Sequence, residues 1–426
     1  MIALNSEQRD AVNEMHVFGD SDEPFFLLEG RAGTGKTTCV QTFARETRKR
    51  VVFTAPTNKA TKVLKAMCRR ELGGIVDCRT IYSLLGLRMD NSGEAKQVRA
   101  AEGFNRAAAY DIVVVDEGSM ANDSLMNYIE RTAMEDGVKF LFMGDRTQLP
   151  PIGETESRVF QIHYRRVLNK VERHDNQILT LATHLRDCQL HGVALDLFSA
   201  NDENGGVYLL NYKKLRAKAV QAFTSEKYRA DQGSIKLIAW RNNTVNMYNG
   251  LIRSAMYGEK VAAEAPFQVG ERVVVCQPIM SADGEETLMT TDEEGTVEEV
   301  CVEQHPVYKE LTCYRVEVEP EMSEVGWVTC WVIHEKSERT YKQLLNELST
   351  RAKATSGGWP AFWKAKELIH DVRPSHAITS HRSQGSTYDS AFVDAADIMQ
   401  NLDYIEALKS LNVACTRPRR ILVISQ

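Results

Sequence analysis

Gly30-Arg-Ala-Gly-Thr-Gly35-Lys36-Thr37 places two glycines, a lysine and a hydroxyl at the spacing G-x-x-x-x-G-K-[ST], the pattern of a phosphate-binding P-loop. Such a loop turns its backbone N–H groups toward phosphate oxygens. Lys36 reaches the outer phosphates and the Thr37 hydroxyl ligates Mg²⁺. Gly33, Thr34, Gly35 and Thr38 complete the expected nucleotide-binding set. A chance match in a chain of this length is on the order of a per cent. The overlapping Gly33-Thr-Gly35 does not make a dinucleotide fingerprint, because no third glycine arrives at the required place. Further along, Asp116-Glu117 ends an apolar run, where a P-loop enzyme keeps its second acidic motif. Asp116 would hold Mg²⁺ through its water shell, and Glu117 could take a proton from an attacking water. Carboxylates at strand ends are often simple caps, so this pair draws its meaning from the P-loop.

The elements that must position these residues follow from apolar runs and periodicity. Pro24–Glu29 reads as a buried strand, the glycine-rich turn follows, and a helical stretch continues to about Arg48. Val51–Ala55 with a helix from Asn58 to Arg70 repeats the unit, and Asp111–Asp116 and Lys139–Met143 add two more buried strands. Alternating strands and helices predict a parallel sheet covered on both faces. Asp90-Asn-Ser-Gly93 predicts a turn between two short arms, a small hairpin inserted within about 83–110. A second sheet starts at Ser234–Ala239, resumes near His376–Thr379 and Ser390–Val393, and closes with Arg420–Ser425. Between its halves lie four strand-like runs, Glu271–Ile279, Thr296–Glu303, Leu311–Glu319 and Val325–Ile333, as in a small barrel. A helical piece from Glu335 to Asp371, broken at Ser356–Pro360, follows them.

At 426 residues the chain is long enough for more than one core. With 43% hydrophobic and 26% charged residues it has the composition of a globular chain, which excludes disordered and collagen-like classes. Polar residues from Met1 to Met15 do not form a signal peptide, and no apolar stretch predicts a membrane helix. Nine cysteines without a C-x-x-C pair predict neither zinc nor a disulfide framework, and a reducing, cytoplasmic setting. The net charge of −6 argues against nucleic acid only as an average. Arg45, Arg48, Lys49, Arg50, Lys59, Lys62, Lys65, Arg69 and Arg70 cluster early, whereas Asp283–Glu303 is acidic.

Met143-Gly-Asp-Arg-Thr-Gln-Leu-Pro-Pro151 resembles motif III of superfamily 1 helicases, and the resemblance makes Gln148 a sensor of the γ-phosphate. Val52–Thr61 is similar to motif Ia and Thr80-Ile-Tyr-Ser-Leu84 to motif Ib, which touch the DNA backbone in that family. Ile378-Thr-Ser-His-Arg-Ser-Gln-Gly385 resembles motif V, and Leu411–Arg417 resembles motif VI. Leu4–Gln8 is similar to the adenine-reading Q motif, with Gln8 as the base contact, and Leu168–Arg173 to the motif IV region, whose arginine enters the ATP site. The motifs stand in family order across nearly the whole chain. The pattern is closest to the Dda and RecD branch, superfamily 1B, because Thr-Ile-x-Ser precedes a short pin and Trp359–Lys366 echoes a late aromatic segment. Gly118 and Cys415 depart from it without removing a catalytic group.

The resemblance implies two RecA-like domains, the first at 1–178 and the second at 179–262 and 371–426. An SH3-like barrel with a helical extension would occupy 263–370. It implies ATP and Mg²⁺ as cofactors, single-stranded and forked duplex DNA as partners, replication or recombination proteins as further partners, and a monomer without membrane attachment. If phage-encoded, it would work in the host cytoplasm. Lys36, Glu117, Gln148, Arg173 and Arg417 would be the catalytic set, the two arginines acting as fingers, with Gly385 beside the nucleotide. Pro56, Thr57, Asn58, Lys59, Thr80, Tyr82, Trp240, Asn242, Thr379 and His381 would contact DNA, through phosphates or by stacking. Two rivals are a P-loop kinase, which leaves the motifs after Arg173 unexplained, and a DNA-stimulated ATPase that remodels nucleoprotein without separating strands.

Overall fold

Strands β1 (Phe25–Gly30), β2 (Val51–Ala55), β3 (Asp77–Thr80), β6 (Ile112–Val115), β7 (Lys139–Gly144) and β8 (Arg165–Leu168) form one sheet, with the hairpin strands β4 (Leu87–Asp90) and β5 (Gln97–Ala100) set apart from it. The computed structural model describes all residues except 1–3, 32, 74–75, 91–96, 101–104, 152, 171–176, 204, 282–286, 322–325 and 356, with backbone alone at 59, 88–90 and 97–100. The sheet order is β3-β2-β6-β7-β1-β8, and every pairing is parallel. Its strands read as continuous apolar runs because both faces are covered. Leu27, Val113, Val115, Phe140 and Phe142 enter one core, while their neighbours Phe26, Leu28, Val114, Leu141 and Met143 enter the other. Among the helices on these faces are α1 (Ser6–Asp20), α2 (Lys36–Glu46) and α3 (Asn58–Leu72). The β4–β5 pair is antiparallel, as the hairpin expectation requires, and its base is anchored in the first core by Leu85, Leu87 and Ala107.

The second sheet repeats the plan. It contains β9 (Ala200–Asp202), β10 (Gly205–Leu210), β11 (Ile235–Ala239), β19 (Ala377–Thr379), β20 (Tyr388–Val393) and β21 (Pro418–Ser425), in the order β19-β11-β20-β21-β10-β9. All pairings are parallel except β9 with β10. Alternate residues again divide between two cores, Ile238, Val393 and Ile424 against Leu237, Phe392 and Val423.

Between β11 and β19 the chain builds an antiparallel sheet of order β17-β16-β15-β12-β18 from β12 (Arg272–Val275), β15 (Glu294–Gln304), β16 (Thr312–Pro320), β17 (Val328–Ile333) and β18 (Val372–Pro374). A two-stranded pair, β13 (Ile279–Met280) with β14 (Thr287–Met289), lies beside it. Residues 372–374, expected with the second sheet, pair with β12 instead, so the return crossing begins after Pro374. The helices Glu338–Ala354 and Trp359–Glu367 fall on the expected helical piece.

Buried charge fastens this insert to the second sheet. Lys236, the second residue of β11 and 0% exposed, donates to Glu294 Oε2 at 2.9 Å and to the Ser375 carbonyl at 2.6 Å. Arg272 Nε reaches the same Glu294 oxygen at 2.7 Å. Nearby, Glu271 takes Arg253 at 2.6 Å and His376 at 3.2 Å, and the other His376 nitrogen meets the Tyr228 hydroxyl at 2.7 Å. Burial holds His376 below the usual histidine range, hence neutral. Charges this deep are tolerated because each has partners, and removing one strands the others. Lys236→Met should therefore destabilise the fold by about 3 kcal/mol, the low end for a broken buried pair because Arg272 remains on Glu294. An unchanged urea midpoint would show that the pair carries no such weight.

Candidate functional site

The P-loop lies between β1 and α2, and its left-handed residues are glycines: φ is 84° at Gly33 and 86° at Gly35. A side chain at either position would strain the turn that aims the loop's N–H groups. Thr34 ties the loop by donating its hydroxyl to the Arg31 carbonyl at 2.9 Å. Lys36, the first residue of α2, curls back so that its ammonium donates to the carbonyls of Gly30 at 2.5 Å and Arg31 at 3.0 Å. Thr37 and Thr38 follow in the first turn of this 11-residue helix, whose N-terminal end carries the partial positive charge that favours an anion. Gln8 locks the loop from outside. Its amide oxygen accepts from Asn5 N at 3.1 Å, closing a capping box, and its amide nitrogen donates to the Thr34 carbonyl at 3.0 Å.

Asp116 and Glu117 stand at the C-terminal end of β6, next to β2 and β7. Glu117 has φ 51°, a left-handed conformation unusual for a residue with a side chain. Its N–H donates to Asp116 Oδ1 at 2.8 Å. Burial raises the Asp116 carboxyl above the ordinary aspartate range, against the opposing charge of Lys36. Burial first, and then the Asp116 charge, push Glu117 up to about 7, while Lys36 and Arg417 pull it down. Two adjacent buried carboxylates repel, so this is a site that a cation would stabilise. The donor set of Asp116 with the Thr37 hydroxyl is all oxygen, which fits Mg²⁺.

The second sheet reaches this centre through three segments. Gln384 donates its amide to Gln148 Oε1 at 3.0 Å, and Gly385 lies so close to Glu117 that a β-carbon there would be 3.9 Å from the carboxylate. Asn412 donates to the carbonyl and hydroxyl of Thr147 at 3.2 and 3.3 Å, and Thr147 is itself held by Asp145 at 2.7 Å. Arg417 is buried, with Nε on the Val413 carbonyl at 2.8 Å and Nη2 on Thr416 Oγ1 at 3.0 Å, close enough for its charge to act on Glu117. Arg173 lies outside the described residues. On the opposite side Arg31 Nη1 donates to Thr183 Oγ1 at 3.0 Å, a further tie between the P-loop and the helix Gln177–His191, which packs on the second sheet.

A cavity of about 280 Å³ runs between the two sheets. Pro56, Thr57 and Asn58 line one wall, His381 and Gly385 the other, and Glu117 is part of the lining. Thr57 caps α3 by accepting from Ala60 N at 3.1 Å, which leaves the N-terminus of that helix facing the space. Burial lowers His381 below the usual histidine range. Thr80, Tyr82, Trp240, Asn242 and Thr379 lie outside this lining. Thr80 caps the short helix Ile81–Leu84, and Tyr82 packs on the first core, where burial raises its phenol. Trp240 packs on a core of the second sheet while its backbone N–H donates to Asp397 Oδ2 at 2.8 Å. Asn242 begins the helix Asn242–Tyr257 in an exposed position, and Thr379 caps Ser380–Ser383. The side chain of Lys59 is outside the described set. Sequence reading gave no role to Gln384, Arg382, Asn412 and Asp145, although all four stand within quoted motifs. Met120, Thr291 and Asp292 also line the cavity and carried no sequence signal.

Residues 3–203 match the AAA domain family. Over nearly its whole length the chain is 22% identical to the ATP-dependent DNA helicase dda of Enterobacteria phage T4, covering 92% of each chain. It is 21% identical to an uncharacterized protein of Acanthamoeba polyphaga mimivirus, over 97% of this chain and 98% of that one. The ATP-dependent RecD2 DNA helicase of Deinococcus radiodurans is 30% identical over 35% of this chain and 18% of its own. The chain is related to the superfamily 1B helicases of the Dda and RecD type. Among solved structures, the Pif1 helicase of Candida albicans matches with TM-score 0.53 at 16% identity, over 100% of this chain and 94% of that one. Pif1 from Bacteroides in complex with ADP-AlF3 and single-stranded DNA matches with TM-score 0.52 at 14% identity, over 99% and 92%. The two six-stranded sheets thus share the two-domain, RecA-like fold of those helicase structures.

Lys36→Ala should weaken the binding of a fluorescent nucleoside triphosphate about tenfold or more, since a charge-assisted hydrogen bond contributes about 1.5–3 kcal/mol. Equal affinity by titration would remove the loop from the site.

Proposed function

We propose that the chain is an ATP-driven motor that moves 5′→3′ on single-stranded DNA and separates duplex strands. One observation carries the reading: Pro56, Thr57, Asn58 and His381 line the same cavity as Glu117, so strand groove and hydrolytic carboxylate are a single space between the two sheets. Closing the sheets on a strand then changes the surroundings of Glu117 directly. Lys36 and the α2 N-terminus would hold the β- and γ-phosphates, with Gln8 at the base and Gln148 at the γ-phosphate. Thr37 and Asp116 would hold Mg²⁺, which supplies positive charge to the transferring phosphoryl group. Glu117 would take the proton of the attacking water. Arg173 and Arg417 would bring cations from beyond the first sheet, so that hydrolysis waits for closure. In this reading residues 1–178 form the first motor domain and 179–262 with 375–426 the second. The intervening sheet is the SH3-like barrel of the branch. Polarity follows from relatedness to Dda and RecD, and the first domain with its hairpin would meet the fork.

Two measurements test this. Strand displacement with ATP should proceed on a duplex bearing a 5′ tail and fail on one bearing only a 3′ tail; the reverse result would overturn the polarity. Replacing residues 89–103 with a short glycine linker, which spares the core residues Leu85, Leu87 and Ala107, should preserve DNA-stimulated ATPase and reduce unwinding. Undiminished unwinding would place the wedge elsewhere and leave the hairpin without that role.

The raised pKa of Glu117 gives a pH signature. A general base works only when deprotonated, so kcat/KM for ATP should fall as pH drops through about 7. Glu117→Gln should bind nucleotide yet hydrolyse it slowly. A flat profile between mildly acidic and mildly alkaline pH would count against Glu117 as the base.

A further inference from the structure

The cavity has a third side that neither sheet supplies. Thr291 and Asp292, in the turn that leads into β15 of the inserted sheet, line it together with the α3 side and the His381–Gly385 segment. The turn is internally braced. Glu293 Oε2 accepts from Thr290 N at 2.8 Å and from Thr290 Oγ1 at 3.0 Å, and Asp292 N donates to the Val275 carbonyl at 2.8 Å. It is also fastened on both sides. Arg382 Nε stands 3.1 Å from Asp292 Oδ1 on the second-sheet side, and Lys62 Nζ of α3 stands 2.6 Å from Glu293 Oε2 on the first-sheet side. The two sheets and the turn therefore bound the cavity on three sides, and the two ion pairs tie the turn to the element on either side of it.

The two fastenings differ in what would open them. The insert is joined to the second sheet through the buried Lys236–Glu294 and Arg253–Glu271 pairs, so the turn and Arg382 move as one body. Lys62–Glu293 instead crosses from the first sheet's helix to the insert. Glu293 is 0% exposed, while Lys62 retains 23% of its side-chain surface. Glu293 Oε1 has no hydrogen-bond partner, so the carboxylate is only half satisfied, and the ammonium can return to water. Such a contact can close and reopen.

We propose that the Thr290–Glu293 turn is a strap over the groove and Lys62–Glu293 its latch, so that the closed molecule accepts a strand by its end alone. A strand without ends gains access only when the latch opens. This rests on the reading of the groove as the path of single-stranded DNA, and it adds the topology of the strand to what the enzyme selects.

The test uses the full chain with Lys62→Cys and Glu293→Cys, in a background where the partly exposed Cys78, Cys276 and Cys301 are serine. A bis-maleimide spans the two new thiols. ATPase is measured with a covalently closed single-stranded circle and with the same DNA cut once. Before crosslinking, both DNAs should stimulate hydrolysis; after crosslinking, stimulation by the circle should fall to the DNA-free rate while the linear form still stimulates. Equal stimulation of the crosslinked protein by both forms would overturn the strap. A single Glu293→Gln variant, which keeps the shape of the turn, should associate with the circle faster than the unmodified chain does. An unchanged rate would overturn the latch. If neither DNA stimulates the unmodified chain, the motor reading itself fails, and the strap with it.

Discussion

Two carboxylates side by side at the buried end of one strand are the constraint on which the other features depend. Asp116 and Glu117 are both driven toward their protonated forms by burial, and each worsens the other's position as an anion. The surroundings answer with positive charge: Lys36 from the P-loop and Arg417 from the second sheet both pull on Glu117. A P-loop, a central apolar strand and a second sheet are thus three contributions to one electrostatic problem. The protein alone does not fully solve it, which leaves a place for a divalent cation and a triphosphate of opposite sign.

The two halves of the chain communicate through small polar contacts rather than a shared apolar core. Gln148 with Gln384, and Thr147 with Asn412, are amide and hydroxyl hydrogen bonds of about 3 Å between segments that flank the centre. Each core cluster stays within its own sheet. Hydrogen bonds of this kind contribute about 1 kcal/mol each, enough to favour a geometry but not to freeze it. The insert and the second sheet, in contrast, are joined by buried ion pairs that resist separation. Rigid and labile joints therefore alternate along the molecule.

Much of this was legible in the sequence, for a physical reason. Parallel strands covered on both faces leave unbroken apolar runs such as Ile112–Val115, and the P-loop leaves glycines at fixed offsets. Four strands of each large sheet, the hairpin and the main inserted strands could be placed from such signals. The short strands β3, β8, β9, β13, β14 and β18 were not, because two to four residues carry too little periodicity, and the six-residue β10 was missed as well. The residues expected to contact DNA divide by position. Pro56–Asn58 and His381 come to one cavity, whereas Tyr82 and Trp240 lie against cores, since an aromatic beside a buried strand has the same local sequence whether it packs inward or faces a groove. Thr291 and Asp292 left no trace because their importance comes from a tertiary approach across some 230 residues, as the Lys62–Glu293 pair shows.

The backbone of Glu117 sets stability against activity. A side-chain residue held at φ 51° costs roughly 1 kcal/mol or more, a cost that glycine would not bear. The most stabilising residue at the position is therefore one that cannot accept a proton. If Glu117 is the proton acceptor proposed above, substitutions that relax this backbone would strengthen the fold while removing the carboxylate.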